Sequence, residues 1–288
     1  MTAGELVVVA TPIGNLGDLS PRAAEVLAGA DIVCCEDTRH TGLMLSRLNI
    51  KANRLVSLHA HNERERSPQI LAELRAGAQI AVVSDAGTPG VSDPGARLVM
   101  AAVEAGFKVT TVPGPSAVLA ALAVAGVAWS RWRFEGFLPR KGPERRARVA
   151  EIARAGHPVV LYESPRRLTS TLSDLAAACG GDRGVSVCRE LTKIHEEVLR
   201  TTLGQAGEHF RATEPRGEIT LVVHPGAGAG ENAPPEDAAV RLEVEALVAA
   251  GHSRRDAVSS VASRLGLSRR HVYDASLVRG PKGGGAPR

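Results

Sequence analysis

Aromatic residues are scarce, at 3% of the 288-residue chain. A protein that reads single-stranded nucleic acid mainly by stacking bases on aromatic platforms is therefore not expected. Lysine is rare too: Lys51, Lys108, Lys141, Lys193 and Lys282 are the only five among 35 basic residues. No G-x-x-x-x-G-K-[ST] run occurs, so a triphosphate site of the P-loop kind is not supported. The four cysteines, Cys34, Cys35, Cys179 and Cys188, contain no C-x-x-C pair, which argues against a zinc knuckle or a redox dithiol. Vicinal Cys34 and Cys35 sit in an apolar run and read as small buried hydrophobes. No apolar stretch reaches the roughly 18 residues of a membrane helix, and Met1–Ala10 lacks the basic-then-apolar build of a signal peptide. The expectation is a soluble, cytoplasmic protein with no metal and no membrane contact.

What is present is ordinary in amount: 44% hydrophobic and 23% charged residues suit a globular fold. The net charge of +4 permits an anionic partner without demanding one. Its distribution says more. Residues 252–288 carry eight Arg/Lys against Asp256 and Asp274, and residues 131–154 carry eight against Glu135, Glu144 and Glu151. Two such patches suggest a nucleic-acid footprint, with solvated helix faces as the plainer alternative.

Short Val/Ile-rich runs alternate with helical stretches. Strands are predicted at 5–10, 31–35, 54–58, 79–84, 108–112, 158–162, 185–189 and 219–224. Helices are predicted at 21–28, 41–48, 65–75, 95–104, 116–125, 144–154, 166–178 and 204–210. Ser20-Pro21 supplies a cap and a first-turn proline, while Gly77, Gly106 and Gly156 stand where helices should stop. Such alternation predicts an α/β protein with mainly parallel sheets, one or two in number. The stretch from Ala125 to Lys141 breaks the rhythm with Trp129, Trp132, Phe134 and Phe137, and reads as a crossover whose aromatics pack a lobe junction. The expected plan is an N-terminal α/β lobe (1–125), a C-terminal α/β lobe (126–224), a linker (225–235), a small helical domain (236–280) and a flexible tail (281–288). In the helical domain, Ser253 and Ser268 cap two helices joined at Gly266, a helix-turn-helix pattern. Gly226-x-Gly-x-Gly230 opens into prolines instead of a helix and reads as linker.

In α/β sheets ligands bind beyond the carboxyl ends of the strands. The segments leaving seven of these strands are unusually polar or rich in Gly and Pro: 11–16, 36–40, 59–63, 84–95, 113–117, 163–166 and 190–195. On one edge they would line a single cleft, which indicates an enzyme. The 84–95 segment is the strongest. Gly87, Gly90 and Gly95 let a ligand approach the backbone, and Asp85 and Asp93 are acceptors suited to ribose hydroxyls or an α-ammonium group. Pro113-Gly-Pro-Ser116 either cradles a phosphate at a helix start or simply turns the chain. His59, His61 and Glu63 are too few for a firm metal site and read better as hydrogen-bonding groups.

Seven runs, in order, resemble one branch of the tetrapyrrole methylase superfamily, the branch that modifies ribosomal RNA. They are Val9–Leu16, Glu36–His40, Ser84–Gly95, Pro113–Ala117, Phe134–Pro139, Tyr162–Pro165 and Arg189–Lys193. The resemblance spans residues 5–224. It implies S-adenosyl-L-methionine as methyl donor between two lobes and transfer to the 2′-hydroxyl of a cytidine in the decoding region of 16S rRNA within the small ribosomal subunit. A homodimer is implied as well.

Carried over, the donor-binding residues are Pro12, Ser84, Asp85, Gly87, Val91, Ser92, Asp93, Ser116 and Ala117, with main chain around Tyr162 and Cys188. Candidates for the base that helps the hydroxyl lose its proton are Glu163, Lys193, Glu190 and Glu36, each just past a strand end. Lys193 has two readings, a base with lowered pKa or a cation beside the developing alkoxide. Arg39, Arg131, Arg140, Lys141, Arg145, Arg166, Arg269 and Arg270 are the candidate RNA contacts. Arg166 departs from the expected pattern, which has histidine there. Two rivals stand beside this reading: a sister enzyme acting on a porphyrinoid or protein, and a non-enzymatic nucleic-acid-binding regulator.

Overall fold

A computed structural model describes residues 4–226, 237–265 and 267–277. The chain divides into two compact units, Met1–Pro225 and Gly226–Arg288. Most of the expected linker, and the 281–288 tail, lie outside the described residues.

The first unit opens with five β–α steps. Strands β1 (Glu5–Val9), β2 (Ile32–Cys35), β3 (Leu55–Ser57), β4 (Gln79–Val82) and β5 (Lys108–Val112) are followed in turn by α1 (Pro21–Gly29), α2 (Thr38–Arg47), α3 (Glu63–Arg75), α4 (Ala96–Glu104) and α5 (Ala117–Val124). The strands form one sheet in the order β3-β2-β4-β1-β5, and every pairing in it is parallel. A two-residue alternation sorts β2 between two cores. Val33 and Cys35 face one, while Ile32 and Cys34 face the other. Burial pushes the Cys34 thiol up to about 12, with Cys35 adding to it, so this pair is packing material. Ser20 caps α1 by accepting from the Ala23 N–H at 3.1 Å, as its sequence indicated.

The second sheet runs β6-β7-β10-β8-β9. It is built from β6 (Arg133–Phe137), β7 (Val159–Glu163), β8 (Gly184–Arg189), β9 (Glu197–Thr202) and β10 (Ile219–Val223), with helices α6 (Pro143–Arg154), α7 (Pro165–Cys179) and α8 (Leu203–Ala212) between them. Parallel pairs outnumber antiparallel ones across the molecule, yet all three antiparallel pairs fall here: β10 with β7, β10 with β8, and β8 with β9. Since β10 opposes both neighbours, β7 and β8 point the same way. The start of β10 therefore lies beside their carboxyl ends, with Ile219 paired to both Glu163 and Arg189.

Two strands differ from the sequence reading. The 125–141 stretch is more than a crossover, because it carries edge strand β6. Trp132 and Phe134 do pack against the core cluster that joins α5 to the second sheet, whereas Trp129 and Phe137 are exposed. Strand β9 went unpredicted because, as an edge strand of half-buried residues, it has no clean alternation. Helix α5 is apolar all round but buries one face: Val118, Ala121 and Leu122 share a cluster with Val160, Cys188 and Val222 of the second sheet and Ile13 of the first lobe, while Leu119 stays exposed.

The second unit contains α9 (Asp237–Ala249), α10 (Arg254–Leu265) and α11 (Arg269–Leu277) around Val240, Val244, Val258, Val261 and Val272. Ser253 and Ser268 accept from the N–H groups of Asp256 and His271, the capping expected of them. No described helix is long and apolar enough to cross a membrane.

Candidate active site

The exit of β1 and the turn after β4 are laced together. Thr11 and Gly87 exchange backbone hydrogen bonds of 2.8 and 3.1 Å, and the Thr11 hydroxyl donates to the Ser84 carbonyl at 3.1 Å. Gly87 has φ +82°, and a Cβ there would press on Ile13 Cγ2 at 3.2 Å, so the position calls for glycine. Ser92 also holds a positive φ, of 69°, in this turn, a conformation costly for a residue with a side chain. The Thr88 hydroxyl donates to the Pro115 carbonyl at 3.2 Å, binding the 84–95 turn to the 113–117 turn. The two segments on which the sequence reading depended thus meet.

They enclose a cavity of about 330 Å³ together with the ends of the second sheet. Of the expected donor-binding residues, Gly87, Val91, Ser92, Asp93, Ser116, Ala117 and Tyr162 line it. Ser84 and Asp85 instead support the turn: the Ser84 hydroxyl donates to the Ala86 and Gly87 carbonyls, and Asp85 accepts from the Asp37 N–H at 3.1 Å. Pro12 lies between Thr11 and the wall residue Ile13. Cys188 is buried in the inter-lobe core, and burial pushes its thiol up to about 11. Ile13, Ser164 and Pro165, from strand exits expected at the cleft, also line it, whereas Phe137 and the 217–220 run were not expected as wall residues. The last is at the start of β10, out of reach of a rule that looks only beyond the ends of strands.

Carboxylates gather at the ends of β2 and β4. Burial, then Glu36 and then Asp85 raise the Asp93 carboxyl to about 6 against the lowering effect of the Ser84 hydroxyl. Burial and Asp85 likewise raise Glu36. The nearby ring of Tyr162 packs between Phe134 and Phe137, at centroid distances of 5.0 and 5.6 Å. Burial first and Asp93 second push its phenol up to about 12.

Two expectations for the base are corrected. Glu163 has a fully buried side chain whose oxygens are taken: Oε1 accepts from the Ser164 N–H at 2.8 Å and lies 3.5 Å from Arg167, and Oε2 accepts from the Thr171 hydroxyl at 2.6 Å. It braces the start of α7. Lys193 does not have a lowered pKa. Burial alone would lower it, but hydrogen bonds to Glu190 at 2.8 Å and Glu218 at 3.0 Å outweigh that and hold it above the ordinary lysine value. It is a cation, and its stem covers Gly14 of the first lobe. Glu190, with φ 52°, also accepts from the Glu218 N–H at 2.9 Å, and these partners hold its carboxyl below the ordinary value against the opposing effect of burial.

The basic residues divide. Arg131, Arg140, Lys141 and Arg166 are exposed, with Arg140 and Lys141 following β6 and Arg166 opening α7. Arg39 is exposed and paired with Asp37 at 3.0 Å. Arg145 is buried, and its guanidinium is taken up by Asp174, the Pro139 carbonyl and the Thr171 hydroxyl, so it is a scaffold residue and not an RNA contact. In the second unit Arg269 and Arg270 are exposed. Glu63 is buried as the cap of α4, and among the described residues no group of His, Cys, Asp and Glu is placed to hold a metal.

Known proteins resemble this chain in sequence and in fold. Residues 5–207 match the family Tetrapyrrole (Corrin/Porphyrin) Methylases. The chain is 44% identical to the ribosomal RNA small subunit methyltransferase I of Synechocystis sp., covering 95% of this chain and 98% of that protein. It is 45% identical to the protein of the same name from Mycobacterium tuberculosis, covering 99% of each. Among solved structures, the methyltransferase CobJ superposes with TM-score 0.60 at 22% identity, over 78% of this chain and 95% of that one. Uroporphyrin-III C-methyl transferase from Thermus thermophilus, complexed with S-adenosyl homocysteine, gives 0.55 at 19% identity, over 76% and 96%. At those identities the structures speak for the fold, and the sequence relatives speak for descent. This chain belongs to the tetrapyrrole methylase family.

Proposed function

We propose that the chain is an S-adenosyl-L-methionine-dependent methyltransferase acting on 16S rRNA of the small ribosomal subunit, at the 2′-hydroxyl of a cytidine in the decoding region. The reading includes a cytoplasmic homodimer. One observation carries it: the 84–95 and 113–117 turns close on a common cavity between the two sheets. Its walls suit the donor. Ile13, Val91 and Ala117 offer apolar surface, and Gly87 presents bare backbone where a side chain would intrude.

The donor supplies an already reactive methyl group. The protein's task is to hold a ribose oxygen in line with that methyl and to exclude water, and rigid placement can lower such a barrier by several kcal/mol. Thr11, Thr88 and the Glu63 cap fix the turn that forms one wall. Tyr162 and Phe137 line the cavity from the second sheet, and Phe137 lies three residues before the exposed Arg140 and Lys141, whose charges suit RNA phosphates.

The test is transfer of labelled methyl from the donor to purified small subunits, with a porphyrin precursor as the competing acceptor. Label is expected on 16S rRNA, and small subunits from cells lacking the protein should have lost one ribose methyl on a decoding-region cytidine. Label on the porphyrin alone would overturn the reading in favour of a sister enzyme. Binding to subunits without any transfer would favour a regulator.

A further inference from the structure

If the acceptor is a ribose hydroxyl, as proposed above, a base must take its proton, and the structure narrows the choice. Among the described residues three carboxylates line the cavity: Asp93, Glu163 and Glu218. Both oxygens of Glu163 are engaged, and its side chain is fully buried. Glu218 is mostly exposed, and its Oε2 accepts from the Lys193 ammonium at 3.0 Å. Glu190 accepts from that same lysine, and neither it nor Glu36 contributes to the cavity wall.

We propose that Asp93 is the general base that takes the proton from the ribose 2′-hydroxyl as its oxygen attacks the donor methyl. As the O–H bond breaks, its proton passes to the Asp93 carboxylate. The oxygen forms its bond to the methyl carbon, and the carbon–sulfur pair returns to sulfur, turning the sulfonium into a neutral thioether. The carboxylic acid then gives its proton to water. Charge balances, because sulfonium and carboxylate are both neutralised.

The surroundings fit that task. Asp93 sits half-buried beside the strained Ser92, whose hydroxyl lies 3.1 Å from where a Cβ on Gly136 of β6 would stand, so the turn comes close to the second sheet. The groups facing it are Glu36 from the end of β2, Asp85 and the Ser84 hydroxyl from its own turn, and Tyr162 from β7. His59 at the end of β3 acts on Glu36, and Glu218 before β10 acts on Tyr162. Burial and the two carboxylates raise the Asp93 carboxyl to about 6, closer to neutrality than an ordinary aspartate. A base is most effective when its pKa lies near the working pH.

The experiment compares full-length wild type, D93N and D93E in single-turnover methyl transfer to small subunits across pH 5 to 9, with S-adenosyl homocysteine affinity measured by calorimetry. D93N should lose roughly 10²–10⁴-fold in rate, the range typical of general-base loss, while its S-adenosyl homocysteine affinity stays within about threefold of wild type. The wild-type rate should rise through pH 6 and level off, D93N should lack that limb, and D93E should recover part of the rate. Retained binding also shows that the variant is folded. D93N within about threefold of the wild-type rate would overturn the proposal. A tenfold or greater loss of S-adenosyl homocysteine affinity would overturn it as well, making Asp93 an acceptor for the donor's own polar groups. Absence of transfer by the wild type would instead refute the rRNA reading itself, and this inference with it.

Discussion

Glu63 reaches Gly95 across thirty-two positions of sequence: its Oε1 accepts the Gly95 N–H at 3.0 Å, then those of Arg97 at 3.0 Å and Leu98 at 3.2 Å. One buried carboxylate at the start of α3 thereby caps α4 and anchors the far end of the 84–95 turn. Helix N-termini attract such a charge, because their first N–H groups have no partner inside the helix. Glu63→Ala should cost about 2 kcal/mol in denaturant unfolding, as befits a lost cap with buried donors left behind. It should also weaken S-adenosyl homocysteine binding several-fold, because the turn loses its anchor, while Glu63→Gln should fall in between. Unchanged binding in a destabilised Glu63→Ala protein would confine the cap to folding.

The Glu190–Lys193 pair predicts a pH dependence of stability with a definite sign. The folded-state pKa of Glu190 is lowered, so its contribution is complete above the ordinary glutamate value and is lost as pH falls through the lower, folded-state value. The folded-state pKa of Lys193 is raised, so its contribution is complete below the ordinary lysine value and is lost only as pH rises through the higher one. Thermal unfolding of Glu190→Gln should therefore fall below wild type by a constant margin from pH 6 to 9, and the curves should converge in acid, once pH has fallen through the folded-state value of Glu190. A margin that vanishes between pH 7 and 9 would mean Lys193 titrates there, contrary to the geometry.

Asp93 predicts the opposite sign. Its carboxyl is raised to about 6, so the native state favours the protonated form and is destabilised when the group ionises. The penalty grows as pH climbs from the ordinary aspartate value through 6. Asp93→Asn should accordingly raise the Tm at pH 8, with the gain disappearing near pH 4. A variant that is both more stable and slower is the signature of a strained functional group, whereas destabilisation at pH 8 would mark Asp93 as part of the scaffold.

Basic residues from one short stretch should separate by role. Arg140→Glu with Lys141→Glu should weaken binding to small subunits and flatten its dependence on log salt by about one for each phosphate no longer neutralised, leaving S-adenosyl homocysteine affinity alone. Arg145→Ala should instead destabilise the fold by roughly 1–3 kcal/mol, because Asp174 and Thr171 lose a buried partner. If Arg145→Ala kept its Tm and lost only subunit binding, the assignment of that guanidinium to the scaffold would be wrong.

Much of the design is written locally. Runs of Val and Ile bounded by Gly, Pro and Asp announce buried strands, serines at 20, 253 and 268 announce helix starts, and polar Gly/Pro-rich exits announce the ligand edge. These signals are legible because each depends on neighbours a few residues away, through backbone geometry and the two-residue and 3.6-residue periods. The 84–95 and 113–117 turns were recognisable as site segments for that reason. What the tertiary structure alone decided is which way chains run and which charges meet. Strand β10 lies antiparallel to its neighbours, so residues 217–220, which lead into that strand and begin it, reach the cavity edge that only strand-exit segments were expected to reach. Arg145 and Glu163 resemble functional charges in sequence, yet long-range packing assigns both to the brace around Thr171. A charged side chain's role is fixed by its partners and its distance from water, and those are properties of the folded neighbourhood.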